Sequence, residues 1–313
     1  MRNTCRLLLV LVLAAILPGT ASASMLGMAG SYNGFIFNDF TSYFSDTEGR
    51  LAAGGDVNLM SYGVGNKLPA GSSGDVLTVG GDLRAVGGQV YHGNARVGGH
   101  AYTAGFNVVG EQRNGAGMDI DFDAEETYLK ALSASLADLP GNGNTTYTRW
   151  RAFELAGDSS DLVVFNLKGA DLARASGFNV TGIGEDTTVI FNVSGRVGHM
   201  GGMQMFLNGL SNEILSYSDK FLFNFYEAKM LDISFFKAAG SILAPYADVT
   251  GQWGAVHGTL VASSYFGTTE LEYNPFTGEI PEDPGTSVPE PGTLVLLGLG
   301  LAGLGITLKR RRA

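Results

Sequence analysis

The chain has 313 residues, 20 Lys+Arg against 30 Asp+Glu, a formal net charge of −10 and a hydrophobic share of 45%. That hydrophobic share excludes disorder for the body, and the acidic balance repels nucleic acid. The single cysteine, Cys5, excludes a disulfide framework and Cys-ligated zinc.

Arg2 and Arg6 form a basic n-region, Leu7 to Leu17 an apolar h-region, and Ala21-Ser22-Ala23 an A-x-A cleavage site. Residues 1–23 therefore read as a signal peptide, handled by the export translocon and removed by signal peptidase. Cys5 leaves with it. Six of the 20 basic residues (Arg2, Arg6, Lys309, Arg310, Arg311 and Arg312) lie in residues 1–23 and 291–313, and no acid does. The mature part then carries 14 basic residues against 30 acids, net −16.

Glycine supplies 46 of 313 residues, about twice its usual share, without a Gly-X-Y period. After a short lead, Tyr32 to Phe40 is aromatic and strand-like. From there to about Gly110 a degenerate unit recurs as Gly54-Gly55-Asp56-Val57, Val79-Gly80-Gly81-Asp82-Leu83, Val86-Gly87-Gly88-Gln89-Val90 and Val97-Gly98-Gly99-His100-Ala101. Units this short suit coils of a β-solenoid whose corners are turned by glycine. A β-sandwich with Gly-rich hairpins is the alternative.

Residues 123–139 break the pattern and read as a helix. Asp123 is the expected N-cap, Leu129, Leu132, Leu136 and Leu139 share one face, and Pro140-Gly141 stops it. This one long helix is expected to flank the solenoid along its Leu face. Strand-like runs follow at 162–167, 187–193, 221–225, 241–244 and 256–262. Asn166, Asn192 and Asn224 each follow an aromatic and either stack inward as a ladder or sit at turns. Residues 277–287, acidic and rich in Pro and Gly, read as a linker.

The tail, 288–313, has three parts: Pro289-Glu290-Pro291, an uncharged run at 292–308, and the basic cluster Lys309, Arg310, Arg311 and Arg312. The 17-residue run is at the short end of what spans a bilayer as a helix, and the cluster holds its end on the cytoplasmic side. A plain membrane anchor satisfies the same physics. The Pro-Glu-Pro in this setting resembles the PEP-CTERM sorting signal. That resemblance implies an exosortase as partner, a Gram-negative source, and transient anchoring in the inner membrane before delivery to the cell surface or extracellular matrix.

The body also resembles a family. Phe37-Asn38-Asp39-Phe40, Asp46 to Asp56, Gly240 to Val249, Gly258 to Ala262 and Asn274-Pro275-Phe276 look like the choice-of-anchor A domain. The match covers about Tyr32 to Phe276, so residues 24–276 are taken as one adhesive domain. The resemblance implies a β-helix-like adhesive fold and brings no catalytic residues.

Among groups that carry chemistry, His92, His100, His199 and His257 form no close pair, so no metal site is expected. Asp119, Asp121 and Asp123 alternate like a calcium loop, but Ala124 and Lys130 stand where an EF-hand needs glycine and glutamate. They suit helix capping, with calcium as the other reading. Asp46, Glu48 and Arg50 form a dense trio: a glycosidase-like carboxylate pair or a structural ion pair. Tyr62, Tyr91, Tyr102 and Tyr265 are candidates to stack on sugars. Thr-x-Thr occurs once, at Thr146-Tyr147-Thr148, which argues against ice binding. The expectation is a mostly β, solenoid protein, exported and adhesive, acting on exopolysaccharide or another surface glycan in biofilm. It is not expected to be an enzyme or to carry a cofactor. The alternatives are a polysaccharide-active enzyme and a calcium-stabilised matrix protein.

Overall fold

Glycine turns one corner of the early coils because they stack too closely there for any side chain. A Cβ on Gly80 would lie 2.1 Å from the Gly54 carbonyl oxygen, and one on Gly98 would lie 2.3 Å from that of Gly80. The aspartates beside these glycines link coil to coil. Asp39 Oδ1 accepts from the Asp56 N–H, Asp56 Oδ1 from Asp82, and Asp82 Oδ1 from His100, each at 2.8 Å. The unit at 86–90 is not a further copy of this corner. Gly87 and Gly88 lie inside the strand Leu83–Val90 with φ of 65° and 108°, at a second corner of the coil.

The computed structural model describes residues 24–279 apart from Asn212. The expected signal peptide, residues 280–287 of the linker, and the tail lie outside the described residues. Parallel strands build three ladders around a shared apolar core. The first ladder runs, in space, through Leu162–Lys168, Thr188–Ser194, Phe221–Asn224, the start of Ser241–Gly251, the start of Leu260–Gly267, Gly34–Ile36, Leu51–Ala53, Asp75–Val79, Asn94–Val97 and Gln112–Asn114. The second runs through Val197–His199, Met230–Asp232, the ends of Ser241–Gly251 and Leu260–Gly267, Phe40–Tyr43 and the first halves of three eight-residue strands, Val57–Val64, Leu83–Val90 and Ala101–Val108. The third carries Phe236–Ala239, Gly254–His257, Glu270–Glu272 and Asp46–Thr47. At the far end a separate four-stranded sheet holds the antiparallel pair Asn144–Tyr147 and Ala152–Ala156. This is a mostly β, solenoid architecture.

Spatial order is not chain order. Gly34–Ile36 pairs with Leu51–Ala53 on one side and with residues 260–262 on the other. The early coils build away from this first strand, and the late coils return to dock on it. Helix α1, Phe122–Ala137, makes the journey between them. Its 16 residues span about 24 Å at 1.5 Å each, which equals five ladder steps of about 4.8 Å. Phe122 lies over Gly54 at one end, and Leu136 meets Asn192 at the other. Leu129 and Leu136 are buried, and Leu132 and Leu139 pack beside them, as the periodicity predicts. The N-cap is Asp121 rather than Asp123: its Oδ1 accepts from the Ala124 N–H at 3.0 Å. Asp123 lies in the first turn with Glu125, where negative charge suits the helix dipole.

One further expectation changes. The run at 256–262 is broken into Gly254–His257 and Leu260–Gly267, because Gly258 and Thr259 turn a corner against Ser241. Residues 277–279 of the expected linker lie against the body: Thr277 Oγ1 bonds Asp219, and the Glu279 N–H bonds Thr188 Oγ1 at 2.8 Å.

The Phe-Asn dipeptide shows how one strand serves two faces. Phe165, Phe191 and Phe223 are in register and point inward, with rings 5.7 Å and 4.5 Å apart in a stack. Burial of each contributes about 1.5–3 kcal/mol. The asparagines that follow are also in register, but they point outward, against α1 and not into the core. Asn224 Nδ2 donates to Asn192 Oδ1 at 2.8 Å and to the Ser133 carbonyl at 2.9 Å, while Ser133 Oγ donates to Asn224 Oδ1 at 2.6 Å. Asn192 Nδ2 donates to the Leu136 carbonyl at 2.6 Å. Asn166, at the end of the rank, is exposed. Cutting this buried network leaves polar atoms unpaired under the helix. Asn224→Ala is expected to cost about 1–3 kcal/mol, read from the urea midpoint, whereas Asn166→Ala should move it by about 0.5 kcal/mol or less. Equal shifts would show that the network contributes nothing.

Candidate functional site

The chain closes on itself at the third ladder, and acids gather there. Leu271 faces Thr47 across the closure, so the outward neighbours on either side are Glu270 beside Asp46 and Glu272 beside Glu48. Glu272 is fully engaged: Lys237 Nζ donates to Oε1 at 2.7 Å, and His257 Nδ1 lies 2.8 Å from Oε2. The His257 bond, ahead of Lys237, holds the Glu272 carboxyl down to about 2. Glu270 is pushed up to about 7, by partial burial first and then by the negative charges of Asp46, Glu272 and Glu48. Asp46 is also raised by burial, although Asn66 Nδ2 donates to it at 2.6 Å. The charge of Asp46 thus disfavours ionisation of Glu270 across the closure.

The trio read from sequence does not converge. Arg50 turns away and donates to the carbonyls of Ser73 and Asp75 at 3.1 Å and 3.0 Å. Glu48 accepts from the Tyr273 N–H at 2.8 Å, with Lys67 at 3.7 Å. Besides the nearby Asn66 and Lys67, Asp46 and Glu48 meet residues 270–273, some 225 positions away. Asp119, Asp121 and Asp123 do not converge either. Asp119 pairs with Arg96 at 2.7 Å, Asp121 caps α1, and Asp123 lies in its first turn. The calcium expectation therefore finds no common point there. Among the described residues no group of three or more His, Cys, Asp or Glu is placed to hold a metal ion. The histidines sit on different coils: His199 bonds Asp232 at 2.9 Å and His257 bonds Glu272.

The outer side of the second ladder presents a row of eight side chains, one per coil: His199, Asp232, Thr250, Phe266, Thr41, Asn58, Arg84 and Tyr102. Beside it, at the corner towards the third ladder, the backbone adopts positive φ coil after coil. Ser61, Gly87 and Gly105 do so with small or absent side chains. Phe44, Phe235 and Trp253 do so at φ of 51°, 57° and 59°, and they are 71%, 64% and 69% exposed. A left-handed backbone costs a side-chain-bearing residue about 1–2 kcal/mol, and exposure returns nothing for it. An open groove of about 540 Å³ lies alongside, lined by His199, Asp232, Ser234, Phe235, Thr250, Gly251, Gln252 and Phe266.

Of the tyrosines named from sequence, Tyr91 and Tyr102 are exposed, while Tyr62 and Tyr265 are buried at 1% and 2%. Tyr62 bonds Thr47 at 2.8 Å, and Tyr265 stacks on Phe40. The exposed Phe44, Phe235, Trp253 and Phe266 escaped sequence reading because hydrophobicity assigns such residues to the core. The one available signal was that Phe44 and Trp253 sit in polar turns, Phe44-Ser45-Asp46 and Gly251-Gln252-Trp253-Gly254.

A family model described as "Putative Ice-binding-like adhesive domain" matches residues 25–273, and the PEP-CTERM protein-sorting motif matches residues 287–312. A solved structure, that of an ice-binding protein from the Antarctic ascomycete Antarctomyces psychrotrophicus, aligns over 79% of this chain and 98% of that one. Its identity is 11% and its TM-score 0.24, too low for anything to be carried over. No curated protein sequence matches.

The shifted carboxyls set opposite pH dependences. Glu270 is raised from 4.5 to about 7, so the stability it confers is complete below its ordinary value and is lost as pH rises through about 7. Glu272 is lowered to about 2, so its share is present above 4.5 and is lost as pH falls towards 2. Thermal midpoints are therefore expected to decline on both sides of about pH 4.5. Glu270→Gln should flatten the neutral limb and leave the acid limb. An unchanged neutral slope in the variant would remove Glu270 from the account.

Proposed function

The chain belongs to the ice-binding-like adhesive domain family, and on that premise we propose that it is an exported, surface-associated adhesive protein. The observation that carries this is the order of parts: an adhesive domain at 25–273 followed by a sorting motif at 287–312. In this reading residues 1–23 are cut off after Ala23. The run at 292–308 holds the chain in the inner membrane with Lys309, Arg310, Arg311 and Arg312 on the cytoplasmic side. An exosortase of a Gram-negative cell acts at Pro289-Glu290-Pro291, and the solenoid then serves adhesion in biofilm or exopolysaccharide. The geometry supports such a role. Glu279 bonds Thr188, so the chain leaves the body near one end of the first ladder.

Ice is not proposed as the ligand, since threonine occupies only two of the eight positions in the outer row, Thr41 and Thr250. A second reading, glycan hydrolysis, has one observation in its favour. Asp46 and Glu270 form a carboxyl pair with one member near 7, the kind of split that acid–base catalysis uses. Cleavage of a glycan panel by the wild-type chain, lost in Asp46→Asn with folding intact, would establish it; a panel left uncut would end it.

The sorting reading is tested by intact mass of protein recovered from cell surface and inner membrane. The surface form should lack both the leader and Lys309 to Ala313. Replacing Pro289, Glu290 and Pro291 with alanine should leave the uncut chain in the inner membrane. A variant that reaches the surface with wild-type mass would contradict the proposal.

A further inference from the structure

We propose that the aromatic corner and the groove beside it form a binding site for a neutral linear polysaccharide lying along the solenoid axis. The proposal rests on the adhesive reading and supplies its ligand. Phe235 and Trp253 occupy the same corner on successive coils, and Phe44 holds it on a coil beyond the closure. Phe266, 53% exposed, sits in the adjoining row and meets Tyr43 edge to face at 5.8 Å. Coils repeat at about 4.8 Å, so the rings are set out along the axis, where an extended chain would meet one after another.

The groove pairs these rings with hydrogen-bonding groups. His199 and Asp232 are bonded at 2.9 Å, Ser234 Oγ donates to Asp232 at 2.6 Å, and the side chains of Thr250 and Gln252 line the same wall. Ring faces suit the C–H faces of sugars, and the polar wall suits their hydroxyls. An apolar peptide would strip water from that wall without replacing the bonds. Charge narrows the class further. The mature chain is net −16, and the groove's carboxylate, Asp232, already accepts from His199 and Ser234, so an anionic polymer or a second copy of the chain would be repelled.

The same corner is held by Ser61, Gly87 and Gly105 without aromatic side chains, so the fold does not require rings there. Asparagine tolerates a left-handed backbone, which allows binding and stability to be separated. The full chain in mild detergent is run through native gels containing laminarin, xyloglucan or galactomannan, with alginate as the anionic control. At least one neutral glycan should retard it. Phe235→Asn and Trp253→Asn should each weaken retardation about ten-fold or more, with thermal midpoints equal to or above wild type. Trp150→Ala, which removes a 70% exposed ring elsewhere, should bind normally.

Several results would overturn the proposal: no retardation of wild type by any neutral glycan, preference for alginate, undiminished binding by both asparagine variants, or midpoints several degrees lower in them. A shift in gel filtration abolished by Trp253→Asn would assign the corner to self-association instead. If cells lacking the protein attach poorly while no glycan retards it, adhesion stands and the ligand is wrong. If attachment is also unaffected, the adhesive reading itself fails.

Discussion

Closure of the solenoid is the constraint on which the rest of the structure depends. The strand Gly34–Ile36 is made near the start of the body, yet its second partner, residues 260–262, is made last. The joint is dense. The Leu260 N–H donates to the Asn33 carbonyl at 2.7 Å, the Asn38 N–H to that of Ser263 at 2.8 Å, and Ser42 Oγ to that of Gly267 at 2.9 Å. Phe40 and Tyr265 stack across it at 4.9 Å. Each bond links residues about 225 positions apart, so the loop entropy has to be met before any of these contacts forms. Until then both halves present open strand edges, the surfaces most prone to pair wrongly.

Helix α1 makes closure geometrically possible. Early coils carry the chain away from the first strand, and the late coils need a start on its other side. A 16-residue helix bridges that distance in one straight element and covers the outer face of the first ladder. This explains why the strands of that ladder are apolar on both sides: Val163 and Phe165 face the core, and Val164 faces the helix. It also explains the asparagines. Their side chains satisfy one another, Ser133 and the Leu136 carbonyl in a zone that water does not reach, and so fix the helix at one height along the ladder.

The solenoid was legible in the sequence because one corner of its early coils imposes a local chemical demand, Gly-Gly followed by a polar residue, where coils stack. The helix was legible from its leucine spacing, with an error at the cap, since Asp121 and Asp123 offer the same chemistry two residues apart. What a linear reading could not supply is which coil lies beside which. Asp46 and Glu48 stood out as a charged pair, but their distant neighbours, Glu270, Glu272 and Tyr273, arrive only through closure. Burial of Tyr62 and Tyr265, against exposure of Phe44 and Trp253, was hidden for the same reason. Facing in or out depends on corner positions, and those are set by register between distant coils.

Closure also ties stability to the recognition surface. Phe44 and Tyr43 belong to the first coil, while Phe266, Trp253 and Phe235 belong to the returning coils, so the aromatic band is continuous only when the joint is shut. Tyr43 and Phe266 meet across it, one ladder away from the Asp46–Glu270 pair. Charging that pair repels the two sides of the same joint that holds the rings in line. The corner residues Phe44, Phe235 and Trp253, by contrast, are uncharged and hold a left-handed backbone. Stability and recognition thus meet at Phe266, which pairs across the joint and lines the groove, while Phe44, Phe235 and Trp253 depend on the joint through register. A change that loosens the closure should therefore scatter the platform before it unwinds any single coil, since each coil keeps its other neighbour while the band loses its middle.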